Sequence, residues 1–410
     1  VLLSTKMADQ QKQPQQQQQN KAKKEKKPAA NAANNNTKLK DLLESPEKPE
    51  FFDHRLKIFE AEKKRQEEEL AKKPQTPIKI TLPDGKQVDG VAFKTTPYDI
   101  ALSISKGLAE SAVVSKVNGE LWDMTRPLEK DSSLELLKFD SPEGKKVFWH
   151  SSAHVLGQAL ERIYGAKLTV GPPLEEGFYY DSRTDQSVSQ DDFDYINATV
   201  NRLTNEKQVF ERLTVSKEVA LEMFKYNPYK SSILASKVPE GGTCSVYRCG
   251  SLIDPCKGPH LPHTGRVKAF EVTKNSSAYW QGNAENDLLQ RVYAISFPDP
   301  KLMKEWKVFQ EEAERRSHRN IGKNQELFFF HPLSPGSCFF MIHGARIYNK
   351  LVEFMRNEYR HWGFTEVISP NAFNTKLWET SGHWANYKEN MFAFQCEDQL
   401  FALKPMNCPG

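Results

Sequence analysis

HSSAH, residues 150–154, places His150 and His154 four positions apart, and DPCKGPH repeats that spacing with Cys256 and His260. Two histidines plus a cysteine and a third histidine form a plausible tetrahedral zinc set. The same four groups suit hydrolysis without a metal. A histidine near a helix N-terminus feels the positive end of the helix dipole, which lowers its pKa and favours the neutral ring that accepts a proton. A nearby thiol then orients or helps activate water, while Lys230 of NPYKSSIL and Asp254 of DPCKGPH hold polar groups of a substrate. A purely structural role is the third reading, and spacing alone leaves all three open.

The flanking pattern says which elements must position these groups. VFWHSSAHVLGQALERIYG, from residue 147, reads as a helix that begins close to His150. At 100° per residue, Val155, Leu156, Ala159, Leu160 and Ile163 share one face, and His150, His154, Gly157 and Glu161 share the opposite one. The histidines are therefore expected to avoid the core stripe. Pro255 and Gly258-Pro259 exclude a regular helix from DPCKGPH, so that stretch must be a turn that aims both side chains locally.

The chain has 410 residues, 38% apolar and 11% aromatic, which allows about two to four domains of ~100–200 residues. Its net charge of +4 averages over uneven runs. Residues 10–20 are mostly glutamine and KAKKEKKP follows at 21–28. Such a segment buries too little apolar surface to fold, so residues 1–50 are expected to be a disordered tail, solubilising or tethering a polyanion such as RNA. FFDHRLKIFEAEKKRQEEELAKK then reads as an exposed charged helix in a linker over 51–76. From Pro77 the alternation of IKITL, PDGK, VDGVAF, a helix from Pro97 to Gly107, VVSKV, NGE and LELLKF predicts a small β-grasp module over 77–140. A larger α+β unit covers 147–298, with a second helix near 191–208, and a connecting helix covers 299–320. Residues 321–410 contain an apolar helix at 345–360 and TEVISP, read as a strand that stops at Pro370.

No run approaches the roughly 18 apolar residues of a membrane span, and the six cysteines, without a secretory signal, read as reduced thiols. Met7-Ala-Asp-Gln resembles an ordinary start, and no arginine precedes Arg55, against a mitochondrial presequence. The expected location is the cytoplasm, with no membrane and no DNA partner.

HSSAHVLGQAL, GPPLEEGFYYD, DPCKGPH, AYWQG, HRNIGK, SGHWANYKENMF and KPMNCPG resemble, in order, the signatures of threonyl-tRNA synthetases of the eukaryotic cytoplasmic type, over about residues 77–410. The resemblance implies an α+β multidomain chain. Residues 77–140 are then a TGS domain of β-grasp fold, 147–298 an α+β editing domain, and 321–410 the N-terminal part of a class II synthetase antiparallel-sheet domain. The helix at 345–360 and the strand to Pro370 are its dimer-forming motif 1.

In that family a synthetic site joins threonine to tRNA(Thr) using ATP, with a zinc ion that binds the amino and hydroxyl groups of threonine. Serine keeps the hydroxyl and loses a methyl, a difference worth only about 1–3 kcal/mol, so a second, hydrolytic site must remove it. The resemblance assigns that editing site to His150, His154, Cys256 and His260. His150 and Cys256 position or activate water, and Lys230, Tyr247 and Asp254 bind the terminal adenosine or the seryl group. Editing is metal-free in the threonyl branch, whereas the alanyl branch holds zinc with similar spacing. Cys408 of KPMNCPG resembles the first ligand of the synthetic zinc. Motifs 2 and 3 and the anticodon-binding domain are not in the sequence, which implies editing without aminoacylation. Two alternatives are a non-catalytic partner that pairs with a full-length synthetase through the helix at 345–360, and a zinc-dependent trans-editing hydrolase.

Overall fold

The computed structural model describes Pro49 and residues 51–408, so the tail expected over residues 1–50 falls outside the described residues except for Pro49. The chain divides into two compact units, the first ending at Trp306 and the second beginning at Lys307. Both are α+β with largely antiparallel sheets.

Helix α1 (Phe51–Ala71) opens the described part of the first unit. It is not the exposed linker expected from its charge. Phe52, Arg55 and Phe59 are buried, a narrow seam at helical spacing, and Phe59 joins a core with Leu213, Val215, Ala220, Met223 and Ile253. Leu56 and Ile58 pack beside it, but the lysines and glutamates around this short apolar seam dominate the composition and hide it.

Five strands follow in the grasp module: β1 (Pro77–Thr81), β2 (Gln87–Val91), β3 (Ala112–Val117), β4 (Glu120–Trp122) and β5 (Ser132–Lys138), in sheet order β2-β1-β5-β3-β4. β1 and β5 are parallel and the other pairs antiparallel. A capping box between Thr96 and Asp99 starts α2 (Pro97–Ile104). Ser105 then caps α3 (Lys106–Ser111), splitting what the sequence suggests is one helix to Gly107.

Ser141 caps helix α4 (Pro142–Tyr164) by accepting from the Gly144 N–H, and Gly165 at φ +59° ends it. Two sheets embrace the rest of the unit. One has order β11-β12-β7-β6, from β6 (Lys167–Leu168), β7 (Phe178–Arg183), β11 (Ala269–Tyr279) and β12 (Leu288–Phe297). The other has order β10-β9-β8, from β8 (Phe210–Ser216), β9 (Thr243–Cys249) and β10 (Leu252–Pro255). Helices α5 (Phe193–Asn205), α6 (Lys217–Met223) and α7 (Pro228–Lys237) connect them. Val113, Val114 and Leu137 of the grasp module share one core with Phe148, Val155 and Leu156 of α4 and Val292 and Ile295 of β12.

Two expectations for α4 need correction. It starts at Pro142, so His150 lies about two turns inside the helix and not at its N-terminus. Burial is also continuous from Ser151 through Glu161, because the helix meets strands on both sides. Gly157, on the face expected to be polar, packs against the Tyr180 ring and Leu168.

Helix α8 (Pro300–Arg315) carries the boundary between the units. The second unit contains α9 (His318–Asn324), the hairpin β13 (Phe328–His331) and β14 (Ser334–Phe340), helix α10 (Ile342–His361), and a three-stranded sheet β15-β17-β16 from β15 (Ala372–Asn374), β16 (Ala393–Cys396) and β17 (Gln399–Leu403). The strand expected at TEVISP is absent: residues 364–370 are irregular, and Val367 and Ile368 are 81% and 93% exposed. A strand needs a partner ladder, and none of the described strands pairs with this segment. Among the described residues no helix is long and apolar enough to cross a membrane.

Candidate active site

The side chains of His150, His154, Cys256 and His260 converge, with one potential ligand atom from each within 4.8 Å of the others. α4 supplies the first two, one turn apart, and the loop after β10 supplies the others. The His150 Nε2 to Cys256 Sγ distance is 2.9 Å. The His260 ring stacks on His150 at 4.8 Å between centroids and on Phe210 at 4.8 Å, and meets His154 and Tyr247 edge-on at 4.3 and 4.5 Å. Gly258, at φ +67°, lets the loop pass Tyr247: a Cβ there would lie 2.0 Å from the phenol oxygen.

Hydrogen bonds assign the His260 tautomer. Ser151 Oγ donates to the Val147 carbonyl at 2.8 Å and accepts from the Leu261 N–H at 3.0 Å. Its 3.1 Å contact with His260 Nδ1 must then have the imidazole N–H as donor. Nε2 of His260 is left as a bare lone pair, buried and without a partner. Such an acceptor is costly unless something else supplies a hydrogen or a metal bond.

Behind the cluster lies a buried charge pair. Lys230 Nζ is 2.5 Å from Asp254 Oδ1, the Tyr180 hydroxyl donates to Asp254 Oδ2 at 2.7 Å, and His154 Nε2 is 3.8 Å from the same oxygen. Burial pushes the Asp254 carboxyl up, but the Lys230 ammonium, then His154 and Tyr180, outweigh it and hold it below its ordinary range. Tyr247 is also engaged: it donates to Asp123 at 2.8 Å. Lys230, Tyr247 and Asp254 thus stand around the cluster with partners inside the protein.

Burial keeps the cluster uncharged. It lowers the pKa of His150 and that of His260, the latter further depressed by His154 and His150, and it takes His154 down to about 3. It pushes the Cys256 thiol up to about 12. The 2.9 Å contact is accordingly a thiol S–H donating to a neutral His150 ring, not a thiolate–imidazolium pair.

These shifts carry a stability consequence. In the unfolded chain each ring takes a proton near pH 6.5, whereas folded His154 does so only near 3. The unfolded state binds more protons throughout that window, so stability is full above pH 6.5 and is lost as pH falls through it. Urea unfolding between pH 7 and pH 5 is expected to show a loss of up to about 1.4 kcal/mol per pH unit for each buried histidine. A flat profile would contradict the neutral assignment.

The donor types fit a metal, and the group is compact enough to hold one. One distance does not fit. With zinc bonds of about 2.0–2.1 Å to nitrogen and 2.3 Å to sulfur, tetrahedral N and S ligands lie about 3.5 Å apart, whereas His150 and Cys256 are 2.9 Å apart. That is a direct hydrogen bond, which a metal would have to open. In the second unit, Cys408 is exposed with its sulfur 3.6 Å from His383 Nε2. Among the described residues these two join no group of three metal-ligand side chains.

Two family profiles match the chain: the TGS domain over residues 78–138, and the threonyl and alanyl tRNA synthetase second additional domain over 244–293. The probable threonine–tRNA ligase 1, cytoplasmic, of Dictyostelium discoideum is 59% identical over 371 residues, 90% of this chain and 52% of the relative. Over most of its length the chain is a homologue of cytoplasmic threonyl-tRNA synthetases. Human threonine–tRNA ligase 1, cytoplasmic, is 57% identical over 88% of the chain and 50% of its own length, and the Caenorhabditis elegans cytoplasmic enzyme is 56% identical with the same coverage. The chain spans about half the length of the curated relatives it matches. The crystal structure of the RNA binding domain of threonyl-tRNA synthetase from Cryptosporidium parvum Iowa II is 60% identical, covering 23% of this chain and 24% of that one, with a TM-score of 0.23.

Sequence reasoning in family terms passed over three contributors. Ser151 sits inside HSSAH and Tyr180 inside GFYYD, so both belong to motifs whose chemistry points to their neighbours. Asp123 carries no signal at all: it is a single acid in a turn of the grasp module.

Proposed function

We propose that the first unit of this chain hydrolyses the ester bond of seryl-tRNA(Thr), the proofreading reaction of a threonyl-tRNA synthetase. The observation that carries this reading is the neutral cluster of His150, His154, Cys256 and His260 with one unpartnered acceptor, Nε2 of His260. A water held by that lone pair and by the His150–Cys256 pair is aligned for attack on an ester carbonyl. As the water oxygen bonds to the carbonyl carbon its proton passes to an imidazole, which returns it to the departing ribose oxygen. Lys230, Asp254 and Tyr247 line the place of the seryl group or terminal adenosine, and His154 closes the pocket. The editing domain is residues 147–298, joined to the TGS domain at 77–140.

The 2.9 Å His150–Cys256 contact supports chemistry without a metal. A zinc-dependent hydrolase is the second reading, supported by the donor set and by the orphaned Nε2. Hydrolysis of seryl-tRNA(Thr) by the purified chain, with and without chelator, separates the two. Unchanged deacylation in chelator is the expected result; loss that added zinc restores would favour the metal reading.

The full family enzyme is a cytoplasmic ligase that uses ATP, threonine and tRNA(Thr). In it residues 321–410 contribute to the synthetic domain, Cys408 is a zinc ligand, and α10 contributes to a homodimer interface. The exposed apolar side chains of α10, among them Leu351, Phe354 and Tyr359, support that last role.

A further inference from the structure

The hydrolytic cluster is held in part by a residue from outside the editing domain. Asp123 lies just after β4 in the grasp module and is 7% exposed. Its Oδ2 accepts from the Tyr247 hydroxyl at 2.8 Å and its Oδ1 accepts from the His260 backbone N–H at 2.8 Å. One carboxylate therefore grips both the backbone of His260 and the ring that walls its imidazole. From the other side Ser151 grips the His260 ring and the Leu261 N–H. Between these two anchors the orientation of Nε2 has little freedom. The contact is no chance encounter at a loose boundary. The two modules share a core through Val113, Val114 and Leu137, Arg266 donates to the Ala109 carbonyl at 2.6 Å, and Lys116 pairs with Glu143 at 2.6 Å.

We propose that Asp123 is a positioning residue of the hydrolytic site, so that the β-grasp module completes the site and does more than tether it. This rests on the hydrolase reading above. A carboxylate suits the task because it accepts two hydrogen bonds at once without donating any. Alanine at this position leaves the His260 N–H and the Tyr247 hydroxyl buried without acceptors, free to turn toward each other or into the cluster. Asparagine keeps an acceptor for the His260 N–H and presents an NH2 to the phenol oxygen.

The test compares the full chain with Asp123→Ala, Asp123→Asn and Tyr247→Phe, using seryl-tRNA(Thr) deacylation and the ring signals of 13C-labelled histidines, with His260 assigned by its own replacement. Asp123→Ala is expected to lower kcat about 10- to 100-fold, the scale of a misplaced reacting group, with KM nearly unchanged and the His260 signal shifted. Asp123→Asn is expected to restore most of kcat and to return the His260 signal toward its original position. Assays run well below the unfolding midpoint of each variant keep the folded fraction equal. Wild-type kcat in folded Asp123→Ala would overturn the proposal, as would equal losses in both Asp123 variants with an unmoved His260 signal. If the unaltered chain itself deacylates nothing, the hydrolase reading fails on its own account. The His260 signal then decides for Asp123: a shift supports the positioning role, and no shift refutes it.

Discussion

Replacing Arg55 by alanine is expected to destabilise the first unit by about 3–5 kcal/mol, the usual cost of breaking a buried ion pair from one side. Arg55 is fully buried, and its guanidinium forms a two-pronged bond to Glu161 at 2.8 and 2.6 Å. It also donates to the Tyr226 hydroxyl at 2.6 Å and the Ser251 carbonyl at 2.7 Å. Glu161 lies on α4, two turns beyond His154, and is 1% exposed. Without Arg55 its carboxylate has no cation partner and must take up a proton or pull the helix out of register with β10. Lysine cannot substitute well, because a point charge does not make the planar fork. A double replacement, Arg55→Met with Glu161→Leu, is expected to recover most of the loss, since an apolar pair of similar volume often matches a buried salt bridge. Urea unfolding of the four forms reads this directly. If Arg55→Ala unfolds within about 1 kcal/mol of the unaltered chain, as at an exposed surface pair, α1 is no structural part of the unit.

His150→Ala is expected to lower seryl-tRNA(Thr) deacylation by about 10²-fold, the cost of a misplaced reacting group, because the His150 ring takes the Cys256 thiol hydrogen while the free lone pair belongs to His260. Cys256 should respond differently according to what replaces it. Burial keeps its thiol protonated, with a pKa up to about 12, so it acts by hydrogen bonding to His150 and accepting the Gly258 N–H at 3.3 Å. Cys256→Ser preserves both bonds and is expected to stay within about tenfold of the original rate, while Cys256→Ala falls well below it. Complete loss with serine, together with a trapped thioester, would show a nucleophilic thiolate in place of the arrangement described here. Normal activity in folded His150→Ala would remove this histidine from the mechanism.

The four central residues were legible because both motifs carry chemistry in their composition. Histidine and cysteine at a repeated four-residue spacing, with proline and glycine forcing one motif into a turn, narrow the options before any fold is known. The periodic pattern likewise marks α4 and the strands of the grasp module, since a 3.6-residue and a two-residue repeat are local properties of the chain. The same pattern misled where burial was concerned. A helical wheel can separate apolar from polar residues, but it cannot tell that the face holding His154, Gly157 and Glu161 would be covered. That face lies against Leu168 and Tyr180, on strands that follow the helix, and against β10, far away in sequence.

Sequence alone therefore decided the family resemblance, the main periodic elements and the four groups that meet. Tertiary structure decided their protonation and their support. The histidines are neutral because sheets and a loop exclude water from both sides of α4, not because of a helix dipole at His150. Arg55 and Asp123 matter for a similar reason. Each is an ordinary charged residue in a charged or turn-like stretch, and its role exists only once folding brings Arg55 against Glu161, 106 residues on, and Asp123 against His260, 137 residues on. A buried charge takes its meaning from its partner, and partners distant in sequence leave no local pattern to read.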